Sequence, residues 1–278
     1  MSAPLIELVQ LPFVQRIVLV ALLAGVAAGM IGSLVVARRT TYLAAAIAHC
    51  TLGGIGAAEY LSARFGLAWC TPMLGATAAA VVAALAIGLL TLGRREREDT
   101  VIGAVWTVGM AVGLLLLART PGYVGDPMAY IFGDVLLITR HDVPRTLLVD
   151  GVVLLVVAAA WRPILAVSFD PDFAALRGIR AARWHLMLLV LTALCVVVLV
   201  KLVGIVLAIA LLTLPAAIAG RFTQTLGGMM LAASLTAILV SLAGLTLSYA
   251  RDLPAGPTIV VVAAALYLLA RATIRRHG

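Results

Sequence analysis

"HLMLLVLTALCVVVLVKLVGIVLAIALLTLPAAIA", residues His185 to Ala219, contains one charged side chain, Lys201, in the middle of an otherwise apolar run. A helix needs about 20 apolar residues to cross roughly 30 Å of hydrocarbon, so the run is long enough for two passages. We read it as a span from His185 to Val200 and a second from Leu202 to Ala219, with only Lys201 and Gly204 to mark the turn. Eight crossings with one broken or re-entrant segment fit the composition almost as well.

The flanking sequence has the same character. The chain of 278 residues is 64% hydrophobic, against roughly 45 to 50% in soluble domains, and its mean hydropathy is +1.16. Seven further apolar segments run near Ile17–Val36, Tyr42–Ser62, Met73–Leu92, Thr100–Leu117, Thr146–Ala166, Leu226–Ser248 and Pro257–Leu269. Period-two alternation is absent and the runs far exceed the roughly 10 residues of a barrel strand. The expectation is an all-α, polytopic transmembrane bundle of about eight to nine spans, one domain over 1–278. The first segment shows no cleavable signal pattern, and "LIELVQLPFVQR" suits the membrane interface.

A net charge of +8 belongs here to short loops rather than to a nucleic-acid patch, because cytoplasmic loops collect Lys and Arg. In the nine-span reading Arg38, Arg39, Arg94, Arg95, Arg97, Arg177, Arg180, Arg183, Arg221, Arg271, Arg275 and Arg276 share one side. Arg16, Arg64, Arg119, Arg140, Arg145 and Arg251 share the other. The C-terminus is therefore expected in the cytoplasm and the N-terminus outside. Cys50, Cys70 and Cys195 lack CxxC spacing and read as packed thiols, Cys50 being the first candidate for an exception as a metal ligand or redox group.

Two loops exceed simple turns. The outer one, about 119–145, encloses "AYIFGDVLLI", too short to span, which dips back or lies on the outer face. The inner one, about 168–184, reads as a short capped helix: Asp170 caps, Pro171 suits the first turn and Gly178 the stop. A helix of this kind in a cytoplasmic loop has the shape of a docking element.

Buried polar residues are few. His49 lies near mid-membrane in the second apolar segment, among Ala44, Ala45, Ala46, Ala48, Gly53, Gly54 and Gly56, whose small side chains leave room for a passage. An imidazole is a common ligand for zinc and other first-row ions. Glu59 lies ten residues further on, rotated by about 80° from His49 on a regular helix. Asp150 and Lys201 fall near the outer ends of their spans, where snorkelling accounts for them. No Walker A loop, GxSxG or HExxH pattern occurs, so the chain is expected to be a transport subunit and not an enzyme.

Six blocks in order carry a family likeness: "GSLVVARRTTYLAAAIAHCTLGGIG", "REDTVIGAVWTVGMAVGLLLL", "TPGYVGDPMAYIFGDVLLITRHD", "SFDPDFAALRG", "VGIVLAIALLTLPAAIAGRF" and "DLPAGPTIV". From about Pro12 to Leu269 the chain resembles the integral-membrane permeases of bacterial zinc, manganese and iron ABC importers. The resemblance implies a multi-pass protein of the bacterial inner membrane with a short cytoplasmic coupling helix. It implies a second permease copy, a cytoplasmic ATP-binding subunit and an extracytoplasmic metal-binding protein as partners. "SFDPDFAALRG" would dock the ATPase, which makes Asp170, Pro171, Phe173, Ala174 and Gly178 coupling residues. His49, helped by Glu59 or by an outer-loop acid such as Asp126 or Asp134, would meet the passing ion. The family often has an aspartate four residues before that histidine, where this chain has Ala45. The expected cargo is zinc first, with manganese or iron as alternatives, and no resident cofactor. A permease for an iron chelate or vitamin, or a non-transporting membrane scaffold, is the competing expectation.

Overall fold

The computed structural model describes residues 12–92, 97–122, 130–131, 133 and 142–274. Among them are ten helices: α1 (Pro12–Ala37), α2 (Thr41–Phe65), α3 (Pro72–Leu92), α4 (Glu98–Ala118), α5 (Asp142–Ala159), α6 (Trp161–Phe169), α7 (Pro171–Leu176), α8 (Ala181–Phe222), α9 (Leu226–Arg251) and α10 (Ala255–Ile274). Seven are long and apolar enough to cross a bilayer alone.

Helix α8 has 42 residues, which laid straight would reach about 63 Å, twice the hydrocarbon thickness. It does not run straight. Gly204 interrupts it with φ 81° and ψ 167°, a backbone region that is essentially reserved for glycine. Contacts along α1 show where each arm goes. Arg38, just past the end of α1, donates from Nη2 to Nδ1 of His185 in the first turns of α8, at 2.7 Å. Val36 packs on a cluster that contains Ala216 and Ala219 from the other end of α8. Val203, beside the break, lines a small apolar groove with Ile17, Val20 and Ala24 at the opposite end of α1. Both ends of α8 thus lie at one end of α1 and the break lies at the other. The helix is two passages joined at a corner, as the reading with Gly204 as the turn expected. Arg221 near the end of α8 also donates to the Tyr267 hydroxyl at 3.4 Å, which places the end of α10 on the same face.

The fifth passage differs from expectation. The apolar segment continues to Ala166, but α5 stops at Ala159 and α6 leaves at 79°. Pro163 has no N–H for the Ala159 carbonyl and its ring clashes with it, and Ala160 leaves the helical region at φ −108°, ψ 22°. Trp161 sits beside Gly227, at the Arg38 end of the bundle. Helix α6 therefore runs across that end rather than completing the span. Asp170 then accepts from Phe173 N–H at 2.8 Å, Pro171 follows as the first helical residue, and Gly178 stops the turn at φ 77°, all as the capped-helix reading required.

Helix α2 packs against α3 and α4 and, less extensively, α8. Glycines make this possible. A Cβ on Gly53 would come within 2.6 Å of the Gly109 carbonyl, and one on Gly54 would collide with the Gly75 carbonyl. Backbones that approach this closely gain dispersion contacts, which drive helix association in a medium where lipid is as apolar as leucine.

Candidate metal path along α2

The middle of α2, from Leu43 to Ala58, is buried except at His49, Gly53 and Ala57, and among the accessible positions of the helix four fall on one line: Tyr42, His49, Gly53 and Tyr60. Spacings of seven, four and seven residues hold these positions within about 40° of one another on a regular helix. The stripe runs from the Arg38 end, at Tyr42, past a half-buried imidazole, to Tyr60 near the opposite end. Tyr42 and Tyr60 were not singled out from the sequence; their membership in the face of His49 is visible in the spacing once His49 is taken as the reference.

Two contacts fix the His49 ring. Nδ1 lies 2.8 Å from the Ala45 carbonyl of the same helix, and since a carbonyl only accepts, Nδ1 carries the hydrogen. The neutral imidazole then has its lone pair on Nε2. A backbone carbonyl that holds the other ring nitrogen is a common support for a metal-binding histidine. The Trp106 indole of α4 stacks on the imidazole with centroids 4.3 Å apart and planes at 26°. At the position where the resembling family often has aspartate, Ala45 contributes only its backbone oxygen.

Glu59 is half-buried further along α2. Burial and then the Glu59 carboxylate push the Tyr130 phenol of the outer loop above its ordinary range, so Glu59 lies near that segment and not near His49. Among the described residues, no three His, Cys, Asp or Glu side chains converge as a metal cage. A single Nε2 on a half-buried ring can touch an ion in passage without holding it. Asp126 and Asp134 lie outside the described residues. Cys50, next to His49, faces α4 as well: its thiol donates to the Val105 carbonyl at 2.9 Å and locks α2 to α4.

At the Arg38 end, α6 and α7 form a ridge. Ala174 is buried against the bundle, while Phe169, Phe173 and Leu176 are 65%, 49% and 88% exposed. The Arg177 guanidinium covers the Phe173 ring at 5.0 Å. Asp170, Pro171 and Gly178 shape the backbone that presents this ridge. Phe169, Leu176 and Arg177 were missed as members, because a short helix shows its outward face only when its buried residue is known. The Arg38–His185 bond lies in the same region and joins residues 147 apart in sequence, which no local pattern could show.

The sequence matches the ABC 3 transport family over residues 10–274. It is 35% identical over 272 residues to an uncharacterised membrane protein of Synechocystis, covering 98% of this chain and 94% of that protein. It is 33% identical over 264 residues to the manganese transport system membrane protein MntC of Halalkalibacterium halodurans, covering 95% and 88%. The fold is similar to a chain in the structure of PsaBC from Streptococcus pneumoniae in complex with Fab, with TM-score 0.83, 28% identity and 96% and 93% of the two chains covered.

Proposed function

From the premise that this multi-pass membrane chain belongs to the ABC 3 transport family, we propose that it is the permease of an ATP-driven importer of divalent transition-metal ions. The observation that carries the reading is His49: its Nδ1 is held by the Ala45 carbonyl, which leaves the Nε2 lone pair for an ion on a partly accessible face of α2. Imidazole suits zinc and other first-row ions. A lone imidazole without the Ala45-position carboxylate favours zinc, while manganese appears in the name of a relative.

The Arg38 end is the cytoplasmic face in this reading, because the described arginines concentrate there at Arg38, Arg39, Arg97, Arg162, Arg177, Arg180, Arg183, Arg221 and Arg271. The nine passages then leave the C-terminus in the cytoplasm. The apolar ridge of Phe169, Phe173 and Leu176 is where a separate ATP-binding subunit docks. A metal-binding protein delivers the ion near Glu59, and a second permease copy completes the assembly. Motion of the ridge is transmitted through α5 and α8, and the stripe around His49 opens in turn to each side.

Total cell metal, measured by mass spectrometry in a strain lacking the chain and complemented with intact protein or His49→Ala, tests the proposal under zinc and then manganese limitation. Restoration of one metal by intact protein but not by the well-expressed variant names the cargo and supports the ligand role. Equal restoration by both keeps the importer and removes His49 from the path. Unchanged metal content with intact protein refutes metal import.

A further inference from the structure

The helix ends that meet at Arg221 and Tyr267 carry positive charge with no acid of their own to balance it. Arg221 lies 17 residues past the Gly204 corner of α8, about 26 Å of helix rise, close to the roughly 30 Å that separates the two headgroup layers. Its guanidinium carbon is 5.3 Å from the centre of the Tyr267 ring on α10, and Nη2 donates to the Tyr267 hydroxyl at 3.4 Å. Arg271 follows Tyr267 by four residues, one turn nearer the end of α10 and on the same helix face. Two exposed cations therefore flank one phenol. After Asp172 the chain has a single acid, Asp252, and that residue ends the far side of α9. The other arginine–aromatic pair at this end, Arg177 over Phe173, has Asp170 and Asp172 at the start of its own short helix. Helices α8, α9 and α10 supply no such carboxylate beside Arg221 or Arg271.

The surroundings are apolar as well as charged. Phe222 and Leu268, the chain neighbours of Arg221 and Tyr267, are 63% and 61% exposed. Exposed hydrocarbon beside two guanidiniums and a phenol matches a lipid part by part, acyl chain against the one and phosphate against the other. A tyrosine is suited to the headgroup level, and arginine lays its stem along apolar surface while its head reaches outward. We propose that Arg221, Tyr267 and Arg271 bind the phosphate of an anionic phospholipid, in the leaflet that meets the arginine-rich end of the bundle. Guanidinium forks match phosphate oxygens, and the Tyr267 hydroxyl, which accepts from Arg221, keeps its own hydrogen to donate. The lipid bridges the second arm of α8 to α10, where the direct polar link is a long bond of 3.4 Å. The site shares no residue with the His49 stripe. It requires the chain to span a membrane and does not depend on the cargo.

The test uses the full purified chain in detergent, with phosphatidylglycerol and phosphatidylcholine of the same acyl chains added in turn and retained lipid counted by native mass spectrometry. Phosphatidylglycerol should be held preferentially. Arg221→Gln combined with Arg271→Gln should weaken that retention by roughly thirtyfold, from about fivefold for each guanidinium near a membrane surface. Arg97→Gln removes an exposed arginine elsewhere at this end and should leave retention unchanged. Equal retention of the two lipids, or an equal loss in Arg97→Gln, overturns the site. Displacement of the lipid by inorganic phosphate alone marks a free-anion site and overturns the lipid assignment. Loss of the ATP-binding subunit from the double variant in co-purification, with lipid retention unchanged, gives the surface to protein docking and overturns it as well. Thermal unfolding of the unsubstituted chain is a second readout that depends on no variant folding. A higher melting temperature with phosphatidylglycerol than with phosphatidylcholine supports the site, and identical curves overturn it.

Discussion

The Trp106 indole stacks on the His49 imidazole with ring centroids 4.3 Å apart, so the one metal-competent nitrogen of α2 is oriented by a side chain of α4. Trp106→Phe keeps a ring against the imidazole and is expected to retain most transport. Trp106→Ala frees the ring and is expected to lower uptake by about tenfold, roughly 1.4 kcal/mol of transition-state stabilisation. Metal uptake at equal expression measures both, and equal rates for the two variants would show that the stack is only packing. A chain with Trp69, Trp161 and Trp184 changed to Phe leaves Trp106 as the sole fluorophore, and its emission should respond to Mn²⁺ only while His49 is present.

Gly204 holds φ 81° and ψ 167°, where a side chain is strained by about 1 to 3 kcal/mol. Gly204→Ala should lower the detergent melting temperature and reduce folded yield. An unchanged melting curve would mean that the corner can be formed in another way.

Two glycines in neighbouring helices should behave oppositely. A Cβ on Gly54 would meet the Gly75 carbonyl, whereas one on Gly103 meets nothing within 4 Å. Gly54→Ala is expected to separate α2 from α3 and destabilise the bundle. Gly103→Ala should be neutral or gain about 0.5 to 1 kcal/mol from helix propensity. Thermal unfolding of the two variants side by side checks the contrast.

Asp170 caps α7 through the Phe173 N–H at 2.8 Å. Asp170→Ala removes about 1 kcal/mol from that short helix, and Leu176→Asp places a charge on a side chain that is 88% exposed. Both should leave the bundle folded and weaken recovery of the ATP-binding subunit in co-purification. Full recovery with Leu176→Asp would place the docking surface elsewhere.

Arg38 can only donate, so the His185 Nδ1 it reaches at 2.7 Å must accept. His185→Asn offers an acceptor oxygen near the same place and should keep the α1–α8 link. His185→Lys sets two cations against each other and should lower thermal stability and uptake together. If Lys is tolerated as well as Asn, the link has no role in holding that end of the bundle.

Much of the fold was legible in the chain because bilayer thickness and backbone hydrogen bonding leave few options to a long apolar run. The passages, the capped helix at Asp170 and Pro171, and the turn at Gly204 each follow from local composition, and each is present. The end of α5 was not legible. Pro163 and Trp161 lie inside an apolar stretch, and hydropathy does not distinguish a helix that spans from one that turns at 79° to lie across the end of the bundle.

The candidate site divides in the same way. His49 stood out because an imidazole in an alanine- and glycine-rich span is costly without a role. The sequence alone determined that the chain is a multi-pass helical bundle with an imidazole in its second apolar segment and a short capped helix at Asp170 and Pro171. Only the tertiary structure decided that Trp106 holds the His49 ring and that Asp150 is sealed from water instead of reaching it. Those facts depend on side chains from helices far apart in sequence, and close packing, not periodicity, sets which of them meet.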